Sequence, residues 1–382
     1  MTEPPSYPEP GSAPAYPPPA YPPQTYPAPA NVPAYPPPSS PPVYPAVGHP
    51  GQPHPASYGY PAYVAPAPKP AFPHDRPRPY HQMLRTWTYA PWKSVVGIVV
   101  LLGGFLIAVP ILALPVLFIA VAFQSGDYLD NITDAATLER VTPAAMLYLN
   151  ATLGGAILLT WLIIRLLHGM RPRWLSSVVP KLRWNFLYAC LGVSVAALAI
   201  AMIVGALLPS SSADAELGEL NTLTASYAMV ALVILLTTPF QAAGEEYVFR
   251  GYLLMAVGSF IEKPWGRWFT ILLTAFIFAC AHLQFDGPVF FDRFGFGVVA
   301  AWLTIRTGGL EAAIALHVLN NYLAFGIALA FGDIAESISD PSASWWNILV
   351  TLAQVVSYAL LVSWVAKKMK LRNTTSPPVP AG

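Results

Sequence analysis

Eight apolar runs of bilayer length punctuate this chain, at about 94–123, 144–167, 184–208, 226–258, 267–284, 288–306, 310–331 and 345–366. A hydrocarbon core roughly 30 Å thick is crossed by about 20 residues of helix. Each run therefore predicts one transmembrane helix, and the chain an all-α polytopic membrane protein. Pro110 and Pro115 predict a kink in the first run. The fourth run would make roughly 50 Å of continuous helix, more than a bilayer needs. It must tilt, overrun the membrane, or break near Pro239 or Gly244, since unwound backbone at depth is tolerated only where it lines a cavity.

Charge in the connections alternates. Asp127, Asp130, Asp134 and Glu139 follow the first run, and Arg165, Arg171, Arg173, Lys181 and Arg183 follow the second. Asp214, Glu216 and Glu219 come next, then Lys263 and Arg267. Asp286 and Asp292 mark one side and Arg306 the other; Asp333, Glu336 and Asp340 return to the first, and Lys367, Lys368, Lys370 and Arg372 end the chain on the second. Basic loops stay in the cytosol, so this pattern predicts a multi-pass protein of the cell membrane with both termini cytosolic. Trp87, Tyr89 and Trp92 are expected as interface anchors ahead of the first span.

Composition fits that reading. Of 382 residues only 10% are charged, against about 25% in soluble domains, and the mean hydropathy is +0.49. A net charge of +1 gives no footprint for nucleic acid. Cys190 and Cys280 sit in apolar runs without metal-binding spacing, as small core residues. No secretory signal peptide is expected, because the first apolar run begins far from the N-terminus.

Residues 1–90 are expected as a disordered cytosolic leader, holding most of the 43 prolines interleaved with tyrosine. Such a segment cannot bury enough apolar surface to offset its ordering entropy, and it favours extended polyproline II. Pro18-Pro19-Ala20-Tyr21 and Pro41-Pro42-Val43-Tyr44 fit the PPxY pattern, so a WW- or SH3-like binder is a conceivable partner, although such matches are common in Pro/Tyr-rich tails. A transmembrane domain over 91–370 and a short disordered tail over 371–382 complete the expected organisation.

Against this apolar background, Glu245, Glu246 and Arg250 stand inside the fourth run. An ionisable residue at bilayer depth costs about 2.5–3.5 kcal/mol on insertion scales and marks a functional cavity by default. Of seven histidines, His49, His54, His74 and His81 fall in the leader and His168 beside a basic loop; only His282 and His317 are intramembrane. A lone histidine on an apolar face is usually a satisfied core residue. Here Glu245, His282, His317 and Asn321 all lie roughly 10–22 Å from the cytosolic ends of their spans, so groups from three helices can meet at one level. His317 and Asn321, four apart, share a helix face, whereas adjacent Glu245 and Glu246 diverge. A carboxylate beside an imidazole can take a proton from water, and His and Asn donors can hold an oxyanion. Glu246 and Arg250, again four apart, read as a packed ion pair.

Three motifs then carry a resemblance. Glu245-Glu246-Tyr247-Val248-Phe249-Arg250 fits E-E-x-x-x-R, Phe278-Ala279-Cys280-Ala281-His282 fits F-x-x-x-H, and His317-Val318-Leu319-Asn320-Asn321 fits H-x-x-x-N. In this order, on separate spans, they resemble the CAAX protease and bacteriocin-processing (CPBP, or Abi) family, over about residues 226–325. The resemblance implies an intramembrane glutamic endopeptidase acting on membrane-associated proteins or peptides. It implies Glu245 as general base, His282 as its water-activating partner, His317 and Asn321 as the oxyanion pair, and Glu246 and Arg250 as supporting residues. No cofactor is implied. Glu311 departs from the pattern, a carboxylate expected at the membrane interface near the mouth of the seventh span.

Other readings are a zinc metalloprotease, since Glu and two His are possible ligands, and a non-catalytic immunity factor or scaffold recruited through the leader. A proton-coupled transporter is a third. The absence of H-E-x-x-H weighs against zinc, the intact motifs against lost catalysis, and the absence of a visible internal repeat against a transporter.

Overall fold

The computed structural model describes residues 73–137, 140–209, 220–332, 334–335 and 343–376, all within the compact unit Ala67–Gly382. The PPxY segments and the expected disorder of residues 1–72 and 377–382 lie outside them. So do Glu139, Asp214, Glu216, Glu219, Asp333, Glu336 and Asp340.

Helices α1 (Pro91–Val121), α2 (Tyr128–Thr137), α3 (Pro143–Leu166), α4 (Trp184–Leu207), α5 (Ala225–Gly258), α6 (Pro264–Ala281), α7 (Gly287–Thr307), α8 (Glu311–Phe331) and α9 (Trp346–Lys368) follow in chain order. All except α2 are long and apolar enough to cross a membrane, matching the eight expected spans to within a few residues. Local chemistry sets their ends. Pro91, Pro143, Pro264 and Pro288 occupy first-turn positions, where a missing N–H costs nothing. Thr142, Thr224 and Asp286 accept a first-turn backbone N–H at α3, α5 and α7. Gly308 closes α7 with φ +73°, a left-handed cap that glycine adopts without strain.

Large apolar side chains such as Leu112, Leu158, Leu207, Leu236 and Leu360 are more than half exposed. On spans of this length they form the lipid-facing surface. Irregular turns mark α1 and α5. In α1, where the prolines predict a kink, a π segment, Gly104–Ala108, lies just ahead of Pro110.

Of the three alternatives for the fourth run, a break near Pro239 or Gly244 does not occur in α5. The helix runs 34 residues through Pro239 and Gly244, and its irregularity is a π segment at Tyr247–Leu253. Proline at 239 cannot donate to the Leu235 carbonyl four residues back, and the Tyr322 hydroxyl of α8 supplies that hydrogen bond instead, at 2.6 Å. At Gly244 the helix presses against α3: a Cβ there would collide with the Leu153 carbonyl oxygen. Asn150 of α3 donates to Thr237 Oγ1 at 2.7 Å in the same contact.

Three further expectations are corrected. Residues 73–90, assigned to a disordered leader, pack on the bundle: Tyr80, Met83 and Leu84 are fully buried, and the Tyr80 hydroxyl donates to the Leu175 carbonyl. His74 and His81, expected within that leader, are accordingly 2% and 4% exposed. Apolar side chains within a proline-rich stretch anchor it; composition alone averages them away. Residues 371–376, assigned to the tail, pair with it through a Pro79–Thr374 bridge and a 3.0 Å bond from the Thr375 N–H to the Arg78 carbonyl. Glu311, placed at the interface, is fully buried, because Arg183 at the start of α4 grips both its oxygens at 2.8 and 2.6 Å.

Candidate active site

The E-E-x-x-x-R segment straddles the junction where α5 passes into its π segment. Adjacent glutamates there point to different partners. Glu246, fully buried, accepts from Arg250 Nη1 at 2.8 Å and from His317 Nδ1 at 2.6 Å, both at Oε1. The Arg250 guanidinium lies 3.9 Å from the Phe278 ring centroid and 5.4 Å from that of Phe296. This desolvated ion pair is thus sealed by aromatic faces. It supports the expected role of Glu246 and Arg250 as a packed pair, and adds His317 to it.

Glu245 faces a cavity of about 630 Å³ that it shares with His282, His317 and Asn321. Gln241, one turn earlier on α5, donates to Glu245 Oε1 and accepts from Asn321 Nδ2 at 2.9 Å. An Asn321–Gln241–Glu245 chain therefore fixes the carboxylate plane and leaves Oε2 toward His317 Nε2, 3.8 Å away. Sequence reasoning missed Gln241, although its i,i+4 spacing from Glu245 places it on the same face.

His282 ends α6 and donates its Nδ1–H to the Phe278 carbonyl at 2.9 Å, since a carbonyl only accepts. With the ring neutral, Nε2 is then an acceptor. Among the described residues no hydrogen bond joins His282 to Glu245; the imidazole nearest Glu245 Oε2 is that of His317. All four sequence-derived candidates nonetheless line one cavity, drawn from three helices.

The cavity lining also carries polar groups the motifs do not include. Asp292, counted in the sequence as a loop marker, lies within α7, accepts from Thr351 Oγ1 and pairs with Arg293 at 3.1 Å. Asn320 lines the same space. Both imidazole Nδ1 atoms are engaged, that of His317 by a carboxylate and that of His282 by a carbonyl. Among the described residues no cluster of three His, Cys, Asp or Glu has metal-holding geometry.

Comparison with known proteins meets this geometry at the same segment. Residues 227–323 match the family described as type II CAAX prenyl endopeptidase Rce1-like. The chain is 23% identical over 298 residues to the uncharacterized protein YyaK of Bacillus subtilis (strain 168), covering 75% of this chain and 95% of that one. No solved structure matches it significantly. The part of the multi-pass bundle that supplies Gln241 through Asn321 is thus the part similar to the Rce1-like CAAX endopeptidase family.

Proposed function

We propose that this protein is a metal-free intramembrane endopeptidase in which Glu245 activates water. The observation that carries the reading is the convergence of Glu245, His282, His317 and Asn321 on one cavity between apolar helices. Glu245 Oε2 takes a proton as the water oxygen bonds the scissile carbonyl carbon. His282 Nε2 accepts the water's other O–H and orients it.

The oxyanion is held by His317 and Asn321. Glu246 fixes the His317 Nδ1–H, so donation from Nε2 uses the imidazolium form. Arg250 and that imidazolium balance Glu245 and Glu246. As Glu245 takes up the proton, negative charge passes to the oxyanion and the balance is kept. The Asn321 amide has two N–H donors; one is spent on Gln241, and the other remains for the oxyanion. Collapse of the intermediate breaks the C–N bond, and the proton on Glu245 passes to the departing nitrogen.

The substrate class is a peptide or protein held at the membrane, reached from the bilayer in which the spans sit. The alternating basic connections support a cell-membrane orientation with both termini cytosolic, and a Pro/Tyr-rich leader is the part suited to recruiting a partner. Mass spectrometry of new peptide termini tests the activity, using a membrane-peptide library treated with purified protein or its Glu245→Gln variant. Termini formed by the wild type alone are expected; equal cleavage by the variant would refute Glu245 as base.

A further inference from the structure

A second cleft, of about 470 Å³, lies away from the catalytic cavity, at the end of the bundle where α5 passes into α6. His81, Glu262, Lys263, Arg267 and Arg306 are among the residues that line it, with Asn373 and Thr374 of the C-terminal segment. We propose that it binds a phosphate-bearing anion.

Charge in the cleft is out of balance. Its carboxylate, Glu262, is already taken: Arg78 Nη1 lies at 2.6 Å, Arg76 Nη2 at 2.8 Å and Arg85 Nη1 at 3.1 Å. The Arg78 hydrogen bond holds the Glu262 carboxyl below its ordinary range, so it stays an anion committed to three guanidiniums. Lys263, Arg267 and Arg306 have no carboxylate partner among the described residues. Arg267 and Arg306 instead rest over the Trp268 and Trp302 rings, at 5.4 and 5.9 Å. Cation–π contacts of this kind leave the guanidinium charge unneutralised.

The remaining donors point to a multi-oxygen anion. His81 lines the cleft while only 4% exposed, and its Nδ1 has no hydrogen-bond partner. The 18-residue helix α6 begins at the cleft with no side-chain cap on its first-turn amides, where partial positive charge favours anions. Guanidinium, ammonium, imidazole and backbone donors approaching from several elements suit a phosphate, whose oxygens accept in several directions. Trp265 and Trp268 stand exposed beside them, as aromatic residues do at headgroup level. The phosphate could be an anionic phospholipid headgroup or a soluble species.

The experiment uses the full chain in nanodiscs of phosphatidylcholine, with or without phosphatidylglycerol, and native mass spectrometry of retained lipid. Pyrophosphate titrated into the phosphatidylcholine discs provides the soluble arm. Lys263→Gln/Arg267→Gln/Arg306→Gln is expected to weaken binding about a hundred-fold, and each single variant about five-fold, from the contribution of one cation near a charged surface. The single variants carry the test if the triple variant melts early. Selective retention of phosphatidylglycerol, lost in the variants, assigns a lipid; pyrophosphate binding lost in the variants assigns a soluble phosphate. No binding of either by the wild type, or equal binding by wild type and variants, overturns the proposal.

Discussion

His317 Nδ1 donates to Glu246 at 2.6 Å, not to the neighbouring Glu245. The second glutamate thereby orients an imidazole whose other nitrogen faces the first. Two adjacent carboxylates acquire different work: one is exposed to the cavity, while the other is sequestered with Arg250 and holds the Nδ1–H of a histidine.

That division predicts different effects on stability. Glu245→Gln preserves volume and the Gln241 contact and leaves the Arg250 pair intact. Its expected result is a loss of cleavage of at least a hundred-fold with an almost unchanged melting temperature. Glu246→Gln removes the countercharge of a buried guanidinium, for which about 3–5 kcal/mol is typical, so a clear drop in melting temperature is expected. Thermal melts in detergent alongside cleavage assays separate the two. Equal melting of the variants would show that the Glu246–Arg250 pair does not hold the bundle.

Replacing both members of the pair sharpens this. Glu246→Gln/Arg250→Met removes both charges at once, so stability should recover relative to Glu246→Gln alone. Cleavage should not recover, because a neutral amide at 246 holds the His317 Nδ1–H more weakly than the carboxylate does. Recovery of both would reduce Glu246 to a purely structural partner.

Gln241 and Asn321 form the other arm. Asn321→Ala removes a donor from the proposed oxyanion site, where one such donor contributes about 10²–10³ in kcat. Gln241→Leu leaves that donor in place but frees the Glu245 carboxylate to rotate, so a smaller loss in kcat with little change in KM is expected. Steady-state kinetics on a cleaved peptide would measure both. A larger effect at Gln241 than at Asn321 would reverse the assignment.

Much of this was legible in the chain. Apolar runs located the spans because bilayer thickness imposes a length, and carboxylates inside them stood out against lipid. The motif spacings named Glu245, His282, His317 and Asn321, which do line one cavity. Gln241 escaped because a neutral amide on a helix carries no signal of its own, although its spacing from Glu245 was available. The Arg183–Glu311 pair was hidden by separation: its members lie 128 residues apart, and nothing local joins them. Packing of residues 73–90 was hidden by the prolines around Tyr80, Met83 and Leu84. The rescue of Leu235 by Tyr322 is likewise tertiary, so proline chemistry alone left a break open as one of three alternatives, and α5 does not make it.

Gly244 is predicted to be intolerant of a side chain. A Cβ would strike the Leu153 carbonyl, which is backbone and cannot swing aside. Gly244→Ala must therefore push α5 away from α3, at about 1–3 kcal/mol, and move Glu245 with it. Gly154→Ala on the facing helix is the control, since its Cβ would meet Phe240 at an ordinary 3.4 Å. Melting temperatures and cleavage rates should fall for Gly244→Ala and change little for Gly154→Ala.

Stability against acid provides the remaining prediction. His168, 4% exposed beside Tyr252 with Nε2 at 2.8 Å from its hydroxyl, is pushed down to about 4, first by burial and then by Lys93. His81 is likewise lowered to about 4 by burial and Arg267. Unfolded histidine titrates near 6.5. Between these values the unfolded chain binds protons that the folded chain refuses, so the folded state loses ground as pH falls from about 6.5 toward 4. The contribution is fully present above pH 6.5. Melting temperatures from pH 4 to 8 should therefore slope downward on acidification, and more gently in His168→Gln, whose amide can still reach Tyr252. An unchanged slope in that variant would mean that His168 takes up its proton in the folded protein as readily as in the unfolded one.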